Sequence, residues 1–177
     1  AVPPVRGRPL VVTAHDVAFH RFPHATTTRG RAFHERGLAL ARRYADLVIA
    51  PSEFTLHELE SLGFGRDRLT IAHLGADPPL PLTEHEVDVR LRALGIDHPF
   101  LLTVGTVEPR KRVERLVAAH RALRAEYPDL ELVIVGPRGW GDVHGLDGPG
   151  VRVTGTLPWA AIDALYRRAV ACAIPSV

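Results

Sequence analysis

Apolar residues along this chain fall into short unbroken runs separated by stretches of helical period. Residues 11–14, 46–50, 68–72, 100–104, 130–135, 151–154 and 171–174 are runs of four to six dominated by Val, Ile, Leu and Ala, the pattern of buried strands. Between them the period changes. Residues 29–45 predict a helix with Phe33, Leu38 and Ala41 on one side. Ser52 is placed to cap a helix carrying Leu56, Leu59 and Leu62, which stops at Gly63. Thr83 and Glu86 have the spacing of a capping box, ahead of a helix with Val87, Leu91 and Leu94 inward and Gly95 at its end. Residues 110–126 predict a helix burying Val113, Leu116, Val117, Leu123 and Tyr127, and residues 159–168 one burying Ile162, Leu165 and Tyr166.

Continuous apolar strands alternating with amphipathic helices specify an α/β protein whose parallel sheets are covered on both faces. A proline-rich stretch, Asp77-Pro78-Pro79-Leu80-Pro81-Leu82, leaves three predicted strands before it and four after. Doubly wound sheets usually have five or six, so each block reads as part of a Rossmann-like domain. The expected organisation is a first domain over residues 1–78, a hinge and linker helix over 79–98, and a second domain over 99–177.

Composition narrows the function classes. The 22 basic and 20 acidic residues leave a net charge of +2, and the basic residues form only local clusters at Arg42-Arg43, Arg110-Lys111-Arg112 and Arg167-Arg168. No basic tract is interleaved with aromatics, so nucleic acid is not an expected partner. Cys172 is the single cysteine, which excludes an internal disulfide, suits a reducing cytoplasm, and in its apolar run is expected to be an inert core thiol. No stretch is long and apolar enough to span a membrane, and the first residues do not read as a signal peptide. The chain has no methionine, so it is expected to be processed or part of a longer parent.

The one lysine, Lys111, follows an apolar strand and a glycine turn at Gly105, where ligand phosphates bind in parallel α/β folds. Arg110 beside it offers a planar fork to complement the lysine point charge, and Glu108 is expected to fix the turn or pair with a neighbouring arginine. His15 ends the first strand, and Asp16 after it is expected to order the loop. His20 and His24 flank Pro23, which prevents a regular helix from presenting both, so no metal site is expected. His120 falls on an apolar helix face and is expected to be a core residue. Gly136-Pro137-Arg138-Gly139-Trp140-Gly141 has the wrong spacing for a dinucleotide fingerprint but suits a strand-end loop that lets backbone approach a ligand; Trp140 either covers that ligand or packs the loop.

Five segments in order, His15-Asp16 after its strand, Ala45 to Ser52, Gly105 to Lys111, Val133 to Gly141, and Gly155-Thr156-Leu157 through Pro175-Ser176, make the chain resemble the retaining glycosyltransferases of family 4, with the GT-B fold. The resemblance covers nearly the whole chain. It implies two Rossmann-like domains facing each other across a cleft, both incomplete here, the first for the acceptor and the second for a nucleotide-diphosphate sugar. It implies no metal cofactor: Lys111 and Arg110 would stabilise the departing diphosphate, and His15 would contact the donor sugar or line the reaction centre. Gly105, Thr106, Gly136 and Gly139 would bind the donor, and Gly155, Thr156 and Leu157 would seat its base. The implied acceptor is a saccharide or a lipid-linked one, and the implied location is the cytoplasm, with peripheral association of the full-length parent at the inner membrane face.

Three departures stand against the family pattern. Arg112 occupies a position where relatives usually have asparagine, and the sequence stops at Val177, before the glycine-rich segment with two glutamates eight positions apart. The opening glycine-rich loop of the first domain is also absent. The expectation is an inactive piece of a hexosyltransferase, with a binding-only or structural GT-B chain as the alternative. A nucleotide-sugar epimerase would need carboxylates placed for proton abstraction, and the sequence offers no such set.

Overall fold

A computed structural model describes residues 7–176, and the chain divides into two compact units at Asp77/Pro78. The first contains a three-stranded parallel sheet in the order β1 (Val11–Thr13), β2 (Leu47–Ala50), β3 (Leu69–Ile71). Val12 lies opposite Val48 and Ile49 opposite Thr70. A short helix α1 (Ala18–Arg21) and a 3-10 turn (Pro23–Ala25) lead to α2 (Thr28–Tyr44); α3 (Glu53–Ser61) joins β2 to β3. Ala41, Ala45, Val48, Ala50, Leu56, Leu59 and Phe64 form the core.

Local chemistry sets the ends of these elements. The Ser52 hydroxyl accepts from the Thr55 amide at 3.2 Å, so α3 begins where the cap predicts. Gly63, with φ 82°, ends it in the left-handed conformation that lacks a Cβ penalty. The Arg42 guanidinium then donates to the Leu62 carbonyl at 2.9 Å and ties α2 to the end of α3. Phe33 departs from the expected face: it is 56% exposed, its ring edge-on to His34. Five residues separate it from Leu38, roughly 140° around the helix, too far for both to reach the sheet.

The second unit has four parallel strands in the order β6-β5-β4-β7, with β4 (Phe100–Val104), β5 (Glu131–Val135), β6 (Val151–Gly155) and β7 (Ala171–Cys172). The alternation of β5 shows why its run is continuously apolar. Leu132 and Ile134 join Val113 and Val117 of α5 (Val113–Leu123) on one face. Val133 and Val135 join Val87 and Leu91 of α4 (Glu84–Ala93), and Ala164 and Leu165 of α6 (Trp159–Arg168), on the other. Each face is thus removed from water by a helix.

The predicted linker helix α4 is part of this unit. Arg168 pairs with Asp88 at 2.9 Å and Glu84 at 2.6 Å. Arg167 reaches the buried Asp163 at 2.9 Å and donates to the carbonyls of Leu80 and Leu82. The α4 N-terminus carries the full capping box: the Thr83 amide donates to Glu86 Oε2 at 2.8 Å, and the Glu86 amide to the Thr83 hydroxyl at 3.3 Å. The Thr83 backbone bond, then its hydroxyl, hold the Glu86 carboxyl below its ordinary pKa. A depressed carboxylate value means support that is complete above the unfolded range and lost as pH falls through the lowered value. The first turn of α4 is therefore expected to loosen on acidification, seen as a loss of helical carbon chemical shifts over residues 84–87, and Glu86→Ala should show that loss already at neutral pH.

Four expectations need correction here. The fifth helix begins at Val113, because residues Pro109–Lys111 form a 3-10 turn and Arg112 (φ 48°, ψ 36°) breaks the helical path between them. Leu123 and Tyr127 are exposed, the helix having ended before Tyr127, and Tyr166 is exposed one position past the buried Leu165. The last strand is two residues long and pairs with β4 alone, so Cys172 is exposed rather than a core thiol. Partial burial still pushes its thiol pKa up, which disfavours a reactive thiolate.

Candidate functional site

Because β4, β5 and β6 run parallel, their carboxyl ends lie along one edge, and a glycine stands at or just past each end: Gly105, Gly136 and Gly155. The Gly105 amide donates to Val135 O at 2.8 Å and the Gly136 amide to Gly155 O at 2.9 Å. Pairing continues into the loops, where Val107 N–H donates to Pro137 O and Gly139 N–H to Val107 O, both at 2.9 Å. Sequence spacing brings neither loop to the other; the shared ladder does.

Two glycines make that approach possible. A Cβ on Gly136 would collide with the Gly105 carbonyl oxygen and lie 2.6 Å from its carbon, and one on Gly139 would lie 2.6 Å from Thr106 Cγ2. Gly155 is different: its φ of 72° favours glycine, but its Cβ position is open. It follows an irregularity in the β5–β6 pairing at Ile134/Val135. Thr156 beyond it is exposed, whereas Leu157 packs partly into the core, leaving its backbone as the part available to a ligand.

Lys111 closes the turn that starts at Gly105. Its amide donates to Glu108 O at 2.9 Å, and its Cε lies 3.9 Å from where a Gly105 Cβ would be. The ammonium makes no hydrogen bond or ion pair among the described residues, although the residue is half-buried. Arg110 is otherwise engaged: it pairs at 3.0 Å with Glu108, which is only 2% exposed. A carboxylate so withdrawn from water needs that partner. The pairing expected of Glu108 is present, and its consequence is that Arg110's charge is already compensated.

His15 stands in the other unit, just past β1. Ala14 N–H donates to Ile49 O at 2.9 Å, and Asp16 Oδ1 accepts from the Ala18 amide at 3.0 Å, so Asp16 orders the loop as expected and leaves the His15 ring exposed. His24 stacks edge-on with Phe22, and among the described residues no three His, Cys, Asp or Glu side chains gather as a metal site. His120 is fully buried, with Nε2 2.8 Å from Leu130 O, a core histidine.

Sequence reading missed the left-handed Arg112. The available signal was Pro109, which favours a first helical position, four residues before a helix face that begins at Val113.

Comparison with known proteins adds the following. Residues 1–80 match the Glycosyltransferase Family 4 model, and residues 98–177 match that of the Glycosyl transferases group 1. The chain is 26% identical over 187 aligned residues to O-antigen chain mannosyltransferase B of Escherichia coli, covering 98% of this chain and 48% of that protein. Its fold is similar to that of Anabaena Alr3699/HepE, whose crystal structure is in complex with UDP-glucose, with a TM-score of 0.75 and 20% identity over 96% of this chain and 47% of that one. It is also similar to WaaG, a glycosyltransferase involved in lipopolysaccharide biosynthesis, with a TM-score of 0.66 and 18% identity over 94% and 50%. The chain thus spans about half the length of the relatives it matches. Both matching models are of glycosyltransferases, and between them they take in residues 1–80 and 98–177, one parallel sheet in each stretch, so the chain belongs to the glycosyltransferases.

Proposed function

We propose that the protein is a retaining hexosyltransferase that moves a sugar from a nucleotide-diphosphate donor to an acceptor hydroxyl. The acceptor is a saccharide or a lipid-linked one, and the setting is polysaccharide or glycolipid synthesis at the cytoplasmic face of a membrane. No helix among the described residues is long and apolar enough to cross one. The observation that carries the proposal is Lys111, an unpaired half-buried cation folded over Gly105 at the carboxyl edge of a parallel sheet.

Breaking a sugar–diphosphate bond loads negative charge on the departing phosphates while the sugar gains oxocarbenium character. A cation fixed beside that position acts where charge grows, which lowers the barrier more than it tightens ground-state binding. In this reading Lys111 meets the diphosphate. The backbones of Gly105, Thr106, Gly136 and Gly139 line the approach, and those of Gly155, Thr156 and Leu157 seat the base. A donor-sugar role for His15 is carried over from the family resemblance alone. Protein cations supply the charge stabilisation, and no metal cofactor is assigned.

The test is transfer by the full-length protein from UDP-glucose and from GDP-mannose to a saccharide acceptor, with the product's anomeric configuration read by NMR. The expected product keeps the donor's configuration. An inverted product would overturn the retaining assignment, and absence of transfer from either donor would overturn the donor class named here.

A further inference from the structure

We propose that Arg112 is the second cation of the donor-diphosphate site, in the place that sequence order suggests for Arg110. The inference rests on the reading of the Gly105–Lys111 turn given above.

Arg112 is the one non-glycine residue with positive φ among the described residues. In that conformation a Cβ crowds the following carbonyl, so glycine fills it most easily and asparagine next. Here a long charged side chain fills it instead. The backbone itself requires the kink. Arg112 N–H closes the 3-10 turn onto Pro109 O at 3.3 Å, and Arg112 O then accepts from Arg115 N–H at 3.0 Å to begin α5. Neither bond uses the guanidinium, which makes no hydrogen bond or ion pair among the described residues although Arg112 is half-buried.

Arg110 presents the opposite case. Its backbone is unstrained and its guanidinium is committed to Glu108. Recruiting it to a ligand would strand a buried carboxylate. Of the two arginines flanking Lys111, Arg112 is thus the one whose charge is available and whose position is costly to keep. A planar fork beside a lysine point charge gives a diphosphate one bidentate and one rotatable contact. A left-handed arginine whose guanidinium serves no structural bond fits strain retained for binding.

Calorimetric titration with inorganic pyrophosphate and with UDP, together with thermal unfolding, tests this on Arg112→Asn, Arg110→Ala and Lys111→Ala. Arg112→Asn should raise the melting temperature by about 4 °C as strain is relieved, while affinity for both probes falls about tenfold, the effect of losing one charge-assisted bond. Arg110→Ala should do the reverse: lower melting temperature, with affinity changed by less than about twofold. If Lys111→Ala loses affinity but Arg112→Asn does not, Arg112 is not a ligand and the proposal fails while the reading of the turn stands. If Arg112→Asn and Arg112→Gly both lose stability and affinity together, Arg112 is a structural joint and the proposal also fails. If the unaltered chain binds neither probe, the reading of the turn itself falls.

Discussion

In the full-length protein, Lys111→Ala is expected to cut sugar transfer by at least about a hundredfold, the usual cost of removing one fixed group aimed at developing charge. Affinity for a nucleoside diphosphate should fall less, by about tenfold, because the free nucleotide carries less of the charge that the transition state concentrates. Stability should change by no more than about 0.5 kcal/mol. The ammonium has no partner among the described residues, so its removal strands nothing. That separation of activity from stability is what distinguishes a ligand-binding lysine from a structural one. Lys111→Arg should rescue only part of the loss, since a rigid fork cannot occupy the path of a flexible stem whose Cε lies 3.9 Å from where a Gly105 Cβ would be. Equal transfer rates for Lys111→Ala and the native protein would remove the diphosphate role.

Gly136→Ala should be the most destabilising small substitution in the second unit, at roughly 3 kcal/mol or more. The added carbon would meet the backbone carbonyl of Gly105, with 2.6 Å left to its carbon atom, and a backbone cannot swing away as a side-chain end can. Gly136 also has φ 143°, a conformation that alanine resists. Relief would require the β4 and β5 loops to part, breaking the bonds from Gly105 to Val135 and from Val107 to Pro137. Gly155→Ala is the control. Its φ of 72° carries a penalty of about 1–2 kcal/mol, but no atom lies within 4 Å of the new carbon. Denaturant unfolding of both variants checks the order. If Gly136→Ala costs no more than Gly155→Ala, the close approach of the two loops is wrong.

These two substitutions bear on what the amino-acid pattern could and could not show. Strands and caps were legible because each is a local decision. A run such as Leu132 to Val135 has one low-energy use, and Ser52 or Thr83 caps whichever helix follows it. Helix faces were less legible where a large apolar residue sits at the margin of the stripe. Tyr127 and Tyr166 both match a helical period, yet burial depends on which neighbour exists to cover them. Cys172 shows the same limit at a sheet edge, where an apolar run pairs on one side only.

The candidate site was legible in its residue types and hidden in its partnerships. Lys111 and the strand-end glycines announce a turn suited to phosphate, but sequence does not say which of Arg110 and Arg112 has its charge already paired. What separates them is the burial of Glu108, which claims Arg110, and a backbone that turns left-handed at Arg112. Both depend on how Pro109 and the Val107–Arg138 pairing shape the loop, contacts between segments about thirty residues apart.

The most direct test of the central claim, that a donor diphosphate is gripped at the Gly105–Lys111 turn, is a UDP titration of the chain followed by amide NMR. The account predicts that the largest shifts fall on Gly105, Thr106, Lys111, Gly136 and Gly139, and that they vanish in Lys111→Ala. Saturable shifts confined to other residues, or shifts unchanged by that substitution, would contradict it.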